Sequence, residues 1–192
     1  MEITKVELNI FKQDVEEHQT LKPILLDLIN KDGSPEYREG YKTDYHSDYE
    51  IGDSPPKYKK LFVDRIVSKY NYEISNYLGV LNLKKDIGDI WYQQYLKDSI
   101  HGWHVHSENY TGVYYLEYPV NAPPTELWDN SLKIPEVSEG DVVMFPAMTP
   151  HRAPMVKNDI RKTIVSFNFN VIELNTKRLK EFKKIVNSTW KC

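Results

Sequence analysis

The sequence predicts a mainly β domain with helices packed on its outside. Two observations carry this reading. From residue 87 onward, short runs rich in β-branched and aromatic residues are parted by Gly, Pro, Asn and Asp, the punctuation of a sandwich or barrel. On either side of that region, apolar residues recur at helical spacing instead. A chain of 192 residues suits one domain with a sizeable core. Its expected parts are an N-terminal strand, helices and a long loop over residues 1–86, a β core over 87–172, and a closing helix over 173–192.

Each element has its own signal. Val6, Leu8 and Ile10 alternate with polar residues in "TKVELNIFKQ" and predict a strand. In "TLKPILLDLIN", Thr20 is a candidate N-cap, with Leu21, Ile24, Leu25 and Leu28 on one helical face behind it. Residues 31–56 are rich in Gly, Pro, Asp and Tyr and show no period. They predict a long irregular loop, of which Glu36 to Glu50 is a candidate lid with Asp44, His46 and Asp48 within reach of a substrate. The next stretch steps through Tyr58, Phe62, Ile66, Tyr70, Ile74, Tyr77 and Leu81, a buried stripe on one long helix. Strands follow at "IGDIWYQQYL", "GWHVH", "TGVYYLEY", "GDVVMF" and "RKTIVSFNFNV". The tail sets Leu179, Phe182 and Ile185 on one face of an amphipathic helix.

Composition narrows the function classes. Lys plus Arg is 25 and Asp plus Glu is 28, so no electrostatic footprint for general nucleic-acid binding is present. Cys192 is the single cysteine, which excludes a disulfide framework and a cysteine-based metal site. The first residues hold no long apolar stretch, and no run of ~18 apolar residues occurs anywhere. A soluble, cytoplasmic protein with no membrane partner is the expectation.

The chemistry concentrates in "HGWHVHSENY", which holds half of the six histidines. In a strand, residues two apart share a face, so His104 and His106 project together, as two ligands of one metal ion would. Trp103 and Val105 then face the other way and are expected to pack there. A third histidine, His151, follows the strand and proline-bearing turn of "EGDVVMFPAMTPHRAPM". Three imidazoles on two strands make a facial set with open positions, suited to Fe, Zn, Cu or Ni. All three must shed protons to bind a metal, so affinity is expected to weaken below about pH 6.5. Ten residues beyond His151, Arg161 opens the last strand. By alternation it shares a face with Val165, Phe167 and Phe169, while Lys162 lies opposite. An arginine pointing into a small barrel needs an anion, and a bidentate carboxylate is its natural partner.

Taken together, "HGWHVH…TGVYYLEYP…EGDVVMFPAMTPHRAP…RKTIVSFNFNV" resembles the Fe(II)/2-oxoglutarate-dependent oxygenases, and most closely a phage and bacterial branch with an H-x-H…H…R pattern. The resemblance covers about residues 90–172. It implies a double-stranded β-helix, a jelly-roll or cupin-like core, with Fe(II) held by His104, His106 and His151. It also implies that Arg161 grips the far carboxylate of 2-oxoglutarate, with Thr111, Tyr115 and Tyr95 as candidates to share it. The implied activity is hydroxylation with release of succinate and CO2. Most relatives carry Asp or Glu where this chain has His106, so Glu108 stands as the alternative ligand and His106 is favoured. Rival readings are a metal cupin that uses no 2-oxoglutarate and a non-enzymatic β-helix binding module. The substrate stays open among a small molecule, a peptide and a nucleobase.

Overall fold

The computed structural model describes residues 8–32, 36–45, 56–78, 80–81, 87–171 and 173–174. Its strands are β1 (Phe11–Asp14), β2 (Glu36–Arg38), β3 (Tyr41–Thr43), β4 (Val80–Leu81), β5 (Ile87–Tyr95), β6 (His101–His104), β7 (Tyr110–Glu117), β8 (Glu126–Trp128), β9 (Leu132–Lys133), β10 (Asp141–Pro146), β11 (His151–Ala153), β12 (Lys162–Phe169) and β13 (Glu173–Leu174). The helices are α1 (His18–Asp32), α2 (Lys57–Phe62) and α3 (Ser68–Leu78), the last two joined by a π turn (Val63–Val67).

A seven-stranded sheet runs β1-β10-β7-β12-β5-β3-β2, and a four-stranded sheet runs β6-β11-β8-β9. A third, two-stranded ladder pairs β13 with β4. All of these pairings are antiparallel. This is the jelly-roll sandwich expected of the β core.

The larger sheet buries both faces. Tyr92, Tyr114, Val142, Met144, Val165, Phe167 and Phe169 meet the helices through Leu21, Leu25, Ile29, Phe62 and Ile66. The other face holds Tyr95, Val113, Tyr115, Val143, Phe145 and Ile164, which pack against Leu127 and Ala153 of the smaller sheet. Gly112 is where the two chemistries touch most tightly. A Cβ there would lie 2.3 Å from the Phe167 ring, so only glycine lets that ring lie flat on β7.

The helical stripe holds through Tyr58, Phe62, Ile66, Tyr70 and Ile74, all buried. Residues every four apart drift round a 3.6-residue helix, and the wider π turn in mid-stripe takes up part of that drift. Tyr77 turns out to be exposed, and Leu81 belongs to β4 rather than to the helix. Likewise α1 begins at His18, so Thr20 lies inside its first turn and caps nothing, and Ile24 faces solvent.

Part of the expected loop is ordered as a hairpin. Glu39 and Gly40 both take positive φ (43° and 82°), the two-residue turn whose twist matches that of its strands. It joins β2 to β3, and β3 then pairs with β5. Asp44, at the exit of the hairpin, is buried and accepts the Tyr92 N–H at 2.9 Å while facing Lys59 Nζ at 3.3 Å. Burial pushes its carboxyl up, against the pull of Lys59. It ties the hairpin to α2. His46, Asp48, Val6 and the tail helix over 175–192 lie outside the described residues, and residues 173–174 form a strand where a helix was expected.

Candidate metal centre

The smaller sheet brings the histidines together. His151 sits directly across the antiparallel ladder from His104. His106 lies two residues past the end of β6, where its N–H donates to the Ala147 carbonyl at 3.0 Å. One nitrogen from each of the three rings lies within 4.8 Å of the other two. The ring centroids are 4.2 to 5.1 Å apart. Glu108 does not join this group. Trp103 and Val105 do face away from it, yet both are exposed rather than packed in a core. Trp103 meets Trp128 edge-on and carries the Arg152 guanidinium over its ring at 4.8 Å.

Hydrogen bonds set the tautomers. His104 Nδ1 donates to the Gly102 carbonyl at 2.8 Å, and His151 Nδ1 donates to the Thr149 carbonyl at 2.9 Å. A carbonyl only accepts, so each Nδ1 carries the hydrogen and each Nε2 keeps its lone pair for a metal. The Asn168 amide lies 3.5 Å from His106 Nδ1. Turning that amide over would set its buried, unpartnered Oδ1 on the His106 Nδ1–H.

A fourth histidine, His101, stacks on His104 with centroids 3.9 Å apart. Its Nδ1 is 3.0 Å from Gln93 Nε2, whose Oε1 in turn accepts the Ser166 hydroxyl at 3.2 Å. Nothing in the H-x-H spacing marks His101, which precedes His104 by three residues, with a shift in the ladder register between the two. Burial lowers all four imidazoles: His101 and His151 to about 3, His106 to about 4, and His104 in the same direction. Burial thus carries the three triad imidazoles below the ordinary histidine value of about 6.5, toward the neutral form a metal needs.

The crevice under the triad is lined by Trp91, Gln93, Tyr95, Thr111, Thr125 and Ser166, among others. Tyr95 and Thr111 line the triad's crevice. Tyr115 lies deeper, its hydroxyl donating to Thr125 Oγ1 at 3.0 Å.

Arg161 is not among these residues. It precedes β12 and forms a two-pronged pair with Glu117, at 2.9 and 2.6 Å, on the half-exposed outside. Its expected inward direction is corrected: the odd-numbered face of β12 is the one the helices cover. Lys162 points inward instead. It is fully buried among the rings of Tyr95, Tyr115 and Tyr118, its Nζ 5.3 to 6.0 Å from their centroids. Its one hydrogen bond to protein described there goes to the Pro123 carbonyl at 2.7 Å. Burial lowers its ammonium to about 7. Beside it, the Tyr95 hydroxyl is buried with no hydrogen-bond partner. A buried cation next to an unmet hydroxyl is a cradle for an anionic oxygen.

No family model matches the sequence, and no curated protein matches it. Solved structures match its fold. A 2OG-Fe(II) oxygenase family oxidoreductase from Burkholderia pseudomallei aligns with TM-score 0.66 at 10% identity, over 86% of this chain and 85% of that one. A prolyl-4-hydroxylase from Pseudomonas putida aligns with TM-score 0.58 at 13% identity, over 84% and 92%. A Trichoplax adhaerens prolyl hydroxylase, solved with a hypoxia inducible factor peptide fragment, aligns with TM-score 0.56 at 15% identity, over 84% and 83%. The chain is similar to these in fold. Among the described residues, no helix is long and apolar enough to cross a membrane.

Proposed function

We propose that the protein is a non-haem Fe(II) and 2-oxoglutarate-dependent oxygenase that hydroxylates its substrate. One observation carries this: a single sandwich holds a three-imidazole cluster and, on its inner face, the fully buried cation of Lys162. His104, His106 and His151 would hold the iron. Lys162 would receive the far carboxylate of 2-oxoglutarate, with the unpartnered Tyr95 hydroxyl as a second donor. Iron and 2-oxoglutarate together supply the oxidant: one oxygen atom of O2 enters the substrate C–H bond, the other enters succinate, and CO2 leaves.

The chain's own part is placement. The Gly102 and Thr149 carbonyls fix two imidazoles with Nε2 inward. Thr111 and Thr125 line the crevice beside the triad. Three neutral ligands leave the ion's charge less compensated than a set with a carboxylate, which favours an anionic co-substrate. The H-x-H form of the motif agrees with a phage and bacterial branch of these enzymes. A cupin that uses no 2-oxoglutarate has no need of a buried lysine here, so Lys162 takes over the discriminating part first assigned to Arg161.

The test is calorimetry of 2-oxoglutarate binding to Fe(II)-loaded protein without oxygen, followed by a succinate-release screen over candidate substrates. One equivalent of 2-oxoglutarate should bind, and Lys162→Met should weaken it roughly 30-fold or more. Equal binding by that variant would return the cupin reading to first place.

A further inference from the structure

Two rings of the triad lean directly on side chains of the larger sheet. His151 meets the Phe145 ring of β10 edge-on, with centroids 4.9 Å apart. His106 meets Trp91 of β5 at 5.5 Å and has the Asn168 amide of β12 at 3.5 Å. His104 differs. Among the described residues, its ring contacts are with other histidines. Its hydrogen bond goes to the Gly102 carbonyl, two residues back in the same strand. That bond fixes the tautomer, but it moves with β6, whose ladder to β11 changes register between His104 and His101.

His101 supplies the missing support. Its ring lies nearly parallel to that of His104, 17° between planes and 3.9 Å between centroids. It also meets the Tyr41 ring of β3 at 5.2 Å. The amide of Gln93, buried in β5, fixes its rotation. Gln93 Oε1 accepts the hydroxyl of Ser166, buried in β12, so the amide NH2 faces His101 Nδ1 at 3.0 Å. By chain position His101 belongs to the smaller sheet; by this hydrogen bond it is tied to the larger one. The same bond withholds it from a metal. An amide nitrogen only donates, so Nδ1 accepts and the hydrogen of the neutral ring sits on Nε2. Neither nitrogen then offers a free lone pair, and His101 is not in the group whose nitrogens converge within 4.8 Å.

We propose that His101 is a positioning residue of the metal centre, holding the His104 ring in its ligating orientation from the larger sheet while staying out of the ligand set. This rests on reading the triad as the iron centre. A flat ring stacked on His104 restricts its turning, so Nε2 stays directed at the ion and less ordering is needed when the ion binds. A fourth imidazole ligand would fill one of the open positions that co-substrate and O2 require. The Gln93 and Ser166 relay thus keeps a histidine beside the centre without letting it close the centre. Groups that orient a metal's ligands are typically worth roughly 10–100-fold in metal affinity, which sets the size of the expected effect.

The experiment compares His101→Phe, which keeps the flat face, with His101→Leu, which keeps the bulk and loses the face. The probe is Co(II), added without oxygen. Affinity is read by competitive titration, geometry by the visible ligand-field bands, and the urea midpoint of the metal-free protein is read alongside. Pulsed EPR of Cu(II)-loaded protein counts the bound imidazoles. His101→Leu should lose roughly 10–100-fold in Co(II) affinity and shift the bands. His101→Phe should keep the affinity and bands of the parent, and the imidazole count should be three in parent and Phe variant alike. A Leu variant with the parent's affinity and bands would overturn the proposal, whether or not its urea midpoint moves. So would a Phe variant as weak as the Leu variant, or a parent with four imidazoles that falls to three in His101→Phe, which would make His101 a ligand. A parent that binds no Co(II) would overturn the metal-centre reading itself, and this role with it. A parent that binds while the Leu variant matches it removes only the role of His101.

Discussion

Lys162 and Arg161 are neighbours in the chain and point to opposite sides of the sandwich. Arg161 closes on Glu117 at the half-exposed surface, while Lys162 is wholly buried among three tyrosine rings. Exchanging the two should therefore have very different effects. Truncating a buried charge partner costs about 2–5 kcal/mol of binding. Lys162→Met should lose roughly 30-fold or more in 2-oxoglutarate affinity. Arg161→Met removes an exposed pair worth about 0–1 kcal/mol of stability and should leave that affinity unchanged. Calorimetry on both variants checks this, and equal losses would refute the assignment.

The same lysine predicts a proton uptake. Burial holds its ammonium at about 7, so at pH 8 most molecules carry it neutral. A bound carboxylate needs the charged form, so 2-oxoglutarate binding at pH 8 should take up close to one proton. Titrations in buffers of different ionisation enthalpy measure it, and no difference between buffers would count against Lys162. The sign for stability follows. Between about pH 7 and the unfolded lysine value of about 10.4, the unfolded chain binds the proton that the folded chain sheds. The Lys162 contribution should therefore rise with pH across that window and vanish in Lys162→Met.

Metal affinity should hold as pH falls from 8 to 5. Burial holds the folded imidazoles of His106 and His151 at about 4 and 3 and lowers His104 as well, so proton competition sets in below the ordinary histidine range. Stability follows a different window. From about 6.5 down toward 4 the unfolded chain gains protons that the folded one does not, so stability falls as pH drops through that range. Competitive Fe(II) titrations at several pH values test the first statement; a loss of affinity already near pH 6.5 would contradict it.

Glu108 stands apart from the triad, so Glu108→Gln should bind Fe(II) like the parent. His106→Ala should lose more than the ~10–100-fold typical of changing a ligand's supporting partner. The reverse pattern would make Glu108 the ligand.

Gly112→Ala should destabilise the fold by about 1–3 kcal/mol, the usual cost of overpacking a core. The added methyl meets the buried Phe167 ring, which Phe62 and Phe169 already confine. Urea unfolding measures it, and an unchanged midpoint would show that the ring can move.

The strands that build the larger sheet were legible because each is long enough to show its pattern; β5, β7, β10 and β12 fall within a residue or so of the expected runs. Of the smaller sheet only β6 was, through "GWHVH". β8, β9 and β11 have three residues or fewer, too short to show alternation, although β11 carries His151. The triad could still be read, because i and i+2 share a side even where β6 stops at His104. The direction of the basic residue on the last strand was misread for a different reason. Both faces of β12 are buried, so apolar content does not reveal which one lines the interior. The usable signal was the small and polar residues, Ser166 and Asn168, on the even-numbered face with Lys162. The hairpin went unseen because Glu39 occupies a turn position that asparagine or glycine usually marks.

The ladder between β6 and β11 is very short. It pairs His151 with His104 and Ala153 with His101, with a shift in register between them. An ion gripped by His104 and His151 would act as a clasp across that ladder, and by His106 it would also fasten the chain where the strand has ended. Ligands that bind only the folded arrangement add their binding energy to its stability. The smaller sheet would then be the part of the molecule whose amides exchange with deuterium most slowly when the ion is present and speed up most on chelation, while the helix-backed larger sheet keeps its pace.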